Sequence, residues 1–235
     1  MANGILYLIP SSISENQTDV IPEQVRQVIK HTEYFAVENI RTARRFISSL
    51  KLGLTIEDLQ FEVLDKKTND TAVEKILKPL LSGKNVGVIS ESGCPGIADP
   101  GSRAVAYAHK KNIRVVPLVG PSSIFLALMA SGFSGQKFAF HGYLPIKKKE
   151  LETAIRQLET ESRKHLQTQI FIEAPYRNNQ MLETLVKTCS PSTQICVAKD
   201  VSGTEEFIKS QTASEWKKQK VELHKVPTVF ILFSS

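Results

Sequence analysis

Only three cysteines occur in 235 residues, Cys94, Cys189 and Cys196. Their number is odd and no two are spaced as CxxC, which argues against a disulfide framework and a zinc knuckle. Long apolar runs are missing too. The longest stretch without a charge, Val115 to Gln136, holds Pro117, Gly120, Pro121, Gly132 and Gly135. A backbone interrupted so often would leave unpaired polar groups in lipid. The first ten residues have no basic segment and too short an apolar run for a signal peptide. A cytoplasmic protein without membrane contact is therefore expected. No GxGxxG follows the apolar run Ile5–Ile9, and Gly83-Lys84 lacks the upstream glycine of a P-loop. Gly132–Gly135 is one residue short of a GxSxG elbow. The five histidines, at 31, 109, 141, 165 and 224, never fall at HxH or HxxxH spacing, and no metal is expected.

What is present describes a globular chain. Apolar residues make up 41%, enough for a core, and the 23% of charged residues is ordinary. The net charge of +6 is spread, with 15 basic against 13 acidic residues in 1–118 and 15 against 11 in 119–235. A polyanionic partner is permitted, but no basic arm demands one.

Short β-rich runs alternate with amphipathic helical patterns. Strands are predicted at 5–9, 34–37, 61–64, 86–90 and 113–119. Helices are predicted between them, opened by Pro22, over 38–50, from a cap at Asn69 or Asp70 through Leu81, and over 102–111. Strands separated by helices need crossover connections, which predicts a parallel sheet with helices on its faces. Beyond an apolar helix at 122–131, strands are predicted at 137–141, 169–173, 194–199, 205–210 and 228–233. Helices are predicted at 149–164, 178–188 and 213–219. Ser202-Gly203 leaves no room for a helix, so the strands around it should form an antiparallel hairpin. The expected fold class is α/β with two α/β domains: 1–118 with a mostly parallel five-stranded sheet and 119–235 with a mixed sheet. A ligand cleft between them is expected.

The candidate chemistry lies in loops that follow strands. Ser90–Gly101 packs three glycines, two prolines and two acids into twelve residues. It reads as a strand-to-helix connection capped by Asp99 or Ser102, or as a loop whose backbone approaches a ligand; its length and composition favour the second. Pro117–Ser123 runs from a strand into a helix, where Ser122 or Ser123 can cap the helix or hold a polar group with it. Phe140–Pro145 precedes Lys147–Lys149, and Glu173-Ala-Pro-Tyr-Arg177 reads either as a binding rim or as a helix start.

Taken in order, these segments resemble the tetrapyrrole methylase superfamily of S-adenosylmethionine-dependent methyltransferases. They are most similar to the branch that methylates a cytidine ribose 2′-hydroxyl in small-subunit ribosomal RNA, with a tetrapyrrole or other small acceptor, or a weakly active donor-binding relative, as the alternative readings. The resemblance rests on Leu6–Pro10, Glu38–Thr42, Val88–Gly101, Val116–Ser123, Ala130–Gly132, Gly142–Pro145 and Glu173–Arg177. It implies two α/β domains, S-adenosylmethionine between them, a homodimer, and the small ribosomal subunit or its RNA as partner. Pro10, Gly93, Cys94, Ile97, Ser122, Ser123, Tyr143, Ala174 and Thr228 are the implied donor-binding residues. The family's usual Glu-Asp-Thr-Arg is Glu38-Asn39-Ile40-Arg41 here, which loses a carboxylate, and its glycine-containing first loop is Ser11–Asn16. The chain reaches Ser235 without the C-terminal extension usual among those relatives.

A ribose hydroxyl is a poor nucleophile and gains from a nearby base. Glu91, Asp99, Glu38 and His141 are the candidates, because they lie in or beside the matched loops. Glu38 has an alternative as the partner of Arg41 one helical turn on, and His141 as a solvated strand residue. RNA phosphates need cations. Arg41, Arg44 and Arg45 share a helix face, and Arg177 closes the Glu173–Arg177 segment.

Overall fold

The computed structural model describes residues 2–14 and 17–235. Glu15 and Asn16, part of the unusual first loop, lie outside the described residues. The chain divides into two compact units, Met1–Ser122 and Ser123–Ser235.

In the first unit, β1 (Leu6–Ile9), β2 (Tyr34–Val37), β3 (Gln60–Val63), β4 (Val86–Ile89) and β5 (Val115–Pro117) form one parallel sheet in the order β3-β2-β4-β1-β5. Every residue of β4 is buried, as a strand covered on both faces requires. Period-2 alternation sends its side chains to two separate cores. Ile89 joins Ile9, Phe35 and Val37 beneath α1 (Glu23–Lys30) and α2 (Ile40–Ser49), which supply Val25, Ile29, Phe46 and Ile47. Val86 and Val88 join Leu6 and Ala36 on the other face. There α3 (Asp70–Ile76), α4 (Lys78–Leu81) and α5 (Gly101–Lys110) contribute Val73, Leu77, Leu80, Ala104 and Ala108.

Sequence pattern predicts one helix through Leu81, yet it breaks at Leu77. Pro79 has no N–H for the carbonyl four residues back and disfavours helical backbone just before it. Asn69 caps α3 by accepting from Ala72 N at 2.9 Å. The chain leaves β1 toward β2 on one side and β4 toward β5 on the other. The carboxyl ends of β1 and β4 are therefore the topological switch point, where open α/β sheets bind ligands.

The second unit opens with α6 (Ser123–Ser131). Its mixed sheet comprises β6 (Phe138–Tyr143), β7 (Thr168–Ile172), β8 (Gln194–Lys199), β9 (Phe207–Thr212) and β10 (Thr228–Phe233). The order is β6-β7-β10-β8-β9, with β6 parallel to β7 and the other pairs antiparallel. The expected hairpin is β8–β9, paired from Gln194 opposite Thr212 to Lys199 opposite Phe207. α7 (Lys148–His165), α8 (Asn178–Thr188) and α9 (Ala213–Trp216) bury Leu151, Ile155, Leu185 and Trp216 against Phe171 and Phe230. Trp216 Nε1 finds the carbonyl of Ile195 at 2.9 Å. β10 is further held by Ser234, whose N–H donates to Ser162 Oγ of α7 at 2.9 Å.

Candidate functional site

Three loops meet at the carboxyl ends of β1, β4 and β5. Ser11, buried just past β1, donates from Oγ to Ser90 O at 2.9 Å and from N to Gly93 O at 3.0 Å. Cys94 points its sulfur at Pro121 O, 3.4 Å away. Pro10 lies so close to Gly120 that a Cβ there would sit 2.2 Å from the proline Cγ. Pro10, Gly93, Cys94 and the segment leading to Ser122 thus form one packed cluster. Ile97, on the rim of the middle loop, is half exposed. Ser122 is half-buried in the first unit, and Ser123, also half-buried, begins the second.

The loop between β4 and α5 is shaped by backbone that most side chains avoid. Gly93, Gly96 and Ala98 have φ of 71°, 83° and 61°. Asp99 staples the turn, its Oδ1 accepting from Gly96 N at 2.6 Å and Gly101 N at 2.7 Å. Asp99 therefore serves the capping role, since Pro100 precedes α5 with no side-chain cap of its own. Burial foremost, and then the nearby Asp99 carboxylate, push the Cys94 thiol up, which favours its neutral form.

Glu38 lies ahead of Asn39, the N-cap of α2, and so is not on the helix with Arg41. No Glu38–Arg41 ion pair forms among the described residues. Glu38 instead shares a field with Asp99 and Glu91: burial foremost, then those two carboxylates, pushes its carboxyl up. Three of the four candidate bases thus converge on the ends of β2 and β4, with Glu91 exposed and Glu38 half-buried. Asn39 Oδ1 accepts from Arg41 N at 3.0 Å and Thr42 N at 3.3 Å. The residue that appears in sequence as a lost carboxylate is a helix cap.

In the second unit, His141 is anchored rather than free, its Nε2 donating to Gln169 Oε1 at 2.6 Å. Tyr143 follows a register shift in β6 at Gly142 (φ 63°) and is exposed. Ala174 leads from β7 into a short 3-10 turn, Pro175–Arg177. Thr228, buried at the start of β10, donates from Oγ1 to Val226 O at 3.0 Å.

Arg177 is not on an open rim. Its Nη2 meets Glu173 Oε1 at 2.5 Å in a largely buried pair, and the same oxygen accepts from Ala174 N at 2.6 Å. A cavity of about 190 Å³ opens beside this pair, lined also by Lys148, Glu152, Glu183 and Lys187. Three carboxylates there face three cations, so it holds no excess of positive charge. Arg44 lies over the Phe61 ring at 5.3 Å. Arg41 and Arg45 are exposed, and neither enters an ion pair among the described residues.

The pattern reading missed Ser11 as the pin between two loops, and Asn178 and Asn179 at the start of α8. A paired asparagine following Pro-Tyr-Arg was the available signal for the latter. Among the described residues no group of three or more metal-ligating side chains occurs.

The family model for Tetrapyrrole (Corrin/Porphyrin) Methylases matches residues 17–217. Over 234 residues the chain is 30% identical to Ribosomal RNA small subunit methyltransferase I of Escherichia coli, covering 98% of this chain and 78% of that protein. Among solved structures it is similar to the methyltransferase CobJ, with a TM-score of 0.66, 17% identity and coverage of 100% and 95%. It is also similar to uroporphyrin-III C-methyl transferase from Thermus thermophilus complexed with S-adenyl homocysteine, with a TM-score of 0.59, 15% identity and 98% coverage of both chains. The two structural likenesses show the fold.

Proposed function

The chain belongs to the tetrapyrrole methylase family and is an S-adenosylmethionine-dependent methyltransferase; from that premise we propose that its acceptor is a ribose 2′-hydroxyl in small-subunit ribosomal RNA. The near full-length match to a ribosomal RNA small subunit methyltransferase carries this reading. Exposed Arg41 and Arg45, beside the acidic cluster at the ends of β2 and β4, are suited to RNA phosphates. We further propose a cytoplasmic homodimer with residues 1–118 and 119–235 as its two methylase domains.

The residues present fit such a donor. Its sulfonium is cationic and supplies an electrophilic methyl group, and Glu38, Glu91 and Asp99 provide matching negative charge. Pro10, Gly93, Cys94, Ile97 and Ser122 are assigned to donor binding in the first unit. Ser123, Tyr143, Ala174 and Thr228 are assigned to it in the second. The neutral Cys94 thiol offers no competing thiolate for the methyl group.

Among the candidate bases, Glu38 is assigned the proton. Asp99 Oδ1 is committed to two backbone amides, with Oδ2 buried and without a partner among the described residues, and His141 is bonded to Gln169. Burial first and neighbouring charge second, by contrast, raise the proton affinity of Glu38. Its carboxylate takes the hydroxyl proton as the ribose oxygen bonds to the methyl carbon and the carbon–sulfur bond breaks, and the proton then passes to water.

The test supplies radiolabelled S-adenosylmethionine and the protein to small ribosomal subunits from a host lacking this gene. Label in small-subunit RNA that resists alkaline hydrolysis of the adjacent linkage is expected. Label absent from that RNA but present in an added tetrapyrrole would overturn the assigned acceptor.

A further inference from the structure

The segment leading into β10 is tied down by the two asparagines that open α8. Asn178, completely buried, donates from Nδ2 to Val226 O at 2.6 Å. Asn179 accepts from Leu223 N at 2.8 Å and donates from Nδ2 to Glu222 Oε1 at 2.7 Å. Just upstream, Pro175 O accepts from Lys225 N at 3.0 Å. Residues 175–179 therefore hold positions 222, 223, 225 and 226, all within one short loop.

The loop needs holding. Lys225 has φ of 61°, a left-handed backbone that a lysine adopts only where its surroundings fix it. The Glu222 carboxylate, bonded by Asn179 and by His224 N at 2.7 Å, closes the turn from the other side.

One detail separates this clamp from ordinary packing. Val226 O already accepts from Thr228 Oγ1, so the carbonyl would stay satisfied without Asn178. Yet Asn178 keeps its own Oδ1 buried with no partner among the described residues. Burying an acceptor in this way costs stability, and such costs persist where a side chain has a task beyond the fold.

We propose that Asn178 and Asn179 are positioning residues for the methyl donor. They fix the loop at 222–227 and with it both flanking donor-binding residues, Ala174 before the clamp and Thr228 after it. The inference rests on the methyltransferase reading, which assigns those two residues to the donor.

The test uses the full chain with S-adenosylhomocysteine as probe, titrated calorimetrically into wild type, Asn178→Ala and Asn179→Ala, with melting temperatures and donor kinetics on the same samples. Asn179 is half-buried at the surface, so its variant reports even if Asn178→Ala folds poorly. Both variants are expected to bind about tenfold more weakly, because small displacements of binding groups are costly. The donor KM should rise in parallel, while kcat at saturating donor falls much less. Wild-type affinity in Asn179→Ala overturns the positioning role. So does a loss of kcat and melting temperature in step with affinity. Failure of the wild type to bind the probe overturns the donor reading itself.

Discussion

Replacing Gly120 by alanine should damage the donor site through one methyl group. The added Cβ would lie 2.2 Å from Pro10 Cγ and 2.3 Å from Pro10 Cβ, whereas ordinary van der Waals separations begin near 3.4 Å. Relief requires more than an ångström of movement, and the obstacle is a proline ring with no rotamer to change. Ser11, the next residue, is bonded to Ser90 O and Gly93 O, so the ring cannot retreat without breaking two hydrogen bonds. Overpacking a core usually costs about 1–3 kcal/mol. With two ring carbons struck and a buried pin disturbed, a loss of at least about 2 kcal/mol is expected, with the upper range in reach. For a chain of this size each kcal/mol lowers the melting temperature by about 2–4 °C, so a fall of about 4 °C or more should be seen. S-adenosylhomocysteine affinity should fall with it. Gly135→Ala is the control, since nothing lies within 4 Å of a Cβ there; its effect should fall within about 1 kcal/mol of zero. Equal melting temperatures and equal affinity for the two variants would refute the argument that Pro10 and Gly120 lock the loops together.

Glu38→Gln should lower kcat by about 10²–10⁴, the usual contribution of a general base, with donor affinity retained. The base must be ionised, so kcat should rise with pH through the raised Glu38 value. Burial foremost, then Asp99, Glu91 and Asp65, raise that value, and Lys66 lowers it. In Glu91→Gln one raising charge is gone, and the acid limb of the pH–rate profile should move to lower pH; a shift to higher pH would remove Glu38 from the role. Changing Arg41 and Arg45 together to alanine should weaken RNA binding and flatten its salt dependence, by about 0.7 in log–log slope for each single-strand phosphate left without its arginine. An unchanged slope would place the RNA elsewhere.

Much of the architecture was legible because burial repeats locally. Tyr34–Val37, Gln194–Lys199, Asn178–Thr188 and Thr228–Phe233 have the bounds that their apolar patterns suggest. Parallel pairing in the first unit followed from the helices between its strands, and the hairpin from the shortness of its turn. Ends without a strong stop signal drifted: β9 runs two residues later than its pattern, and α9 closes three residues earlier. The site was legible as loops and not as partnerships. Composition marked 90–101 as unusual, but nothing local shows that Asp99 spends its oxygen on Gly96 and Gly101. Nor does it show that Arg177 folds back on Glu173. Those outcomes depend on where the backbone places each group, and Asn39, which in sequence is a lost carboxylate, caps a helix.

The position of β10 also sets a schedule for biosynthesis. The first sheet has all five strands once Pro117 has been made, so that unit can close while the remainder is still being translated. In the second sheet, β6-β7 and β8-β9 are held together only through residues 228–233, the last of its strands to be synthesised. Until these emerge, β7 and β8 each present an unpaired edge, the kind of surface that other nascent chains and chaperones engage. A chain truncated just before Thr228 would therefore hold one complete sheet and one open one. Pulse proteolysis of such truncated chains should cut after residue 122 and spare what precedes it.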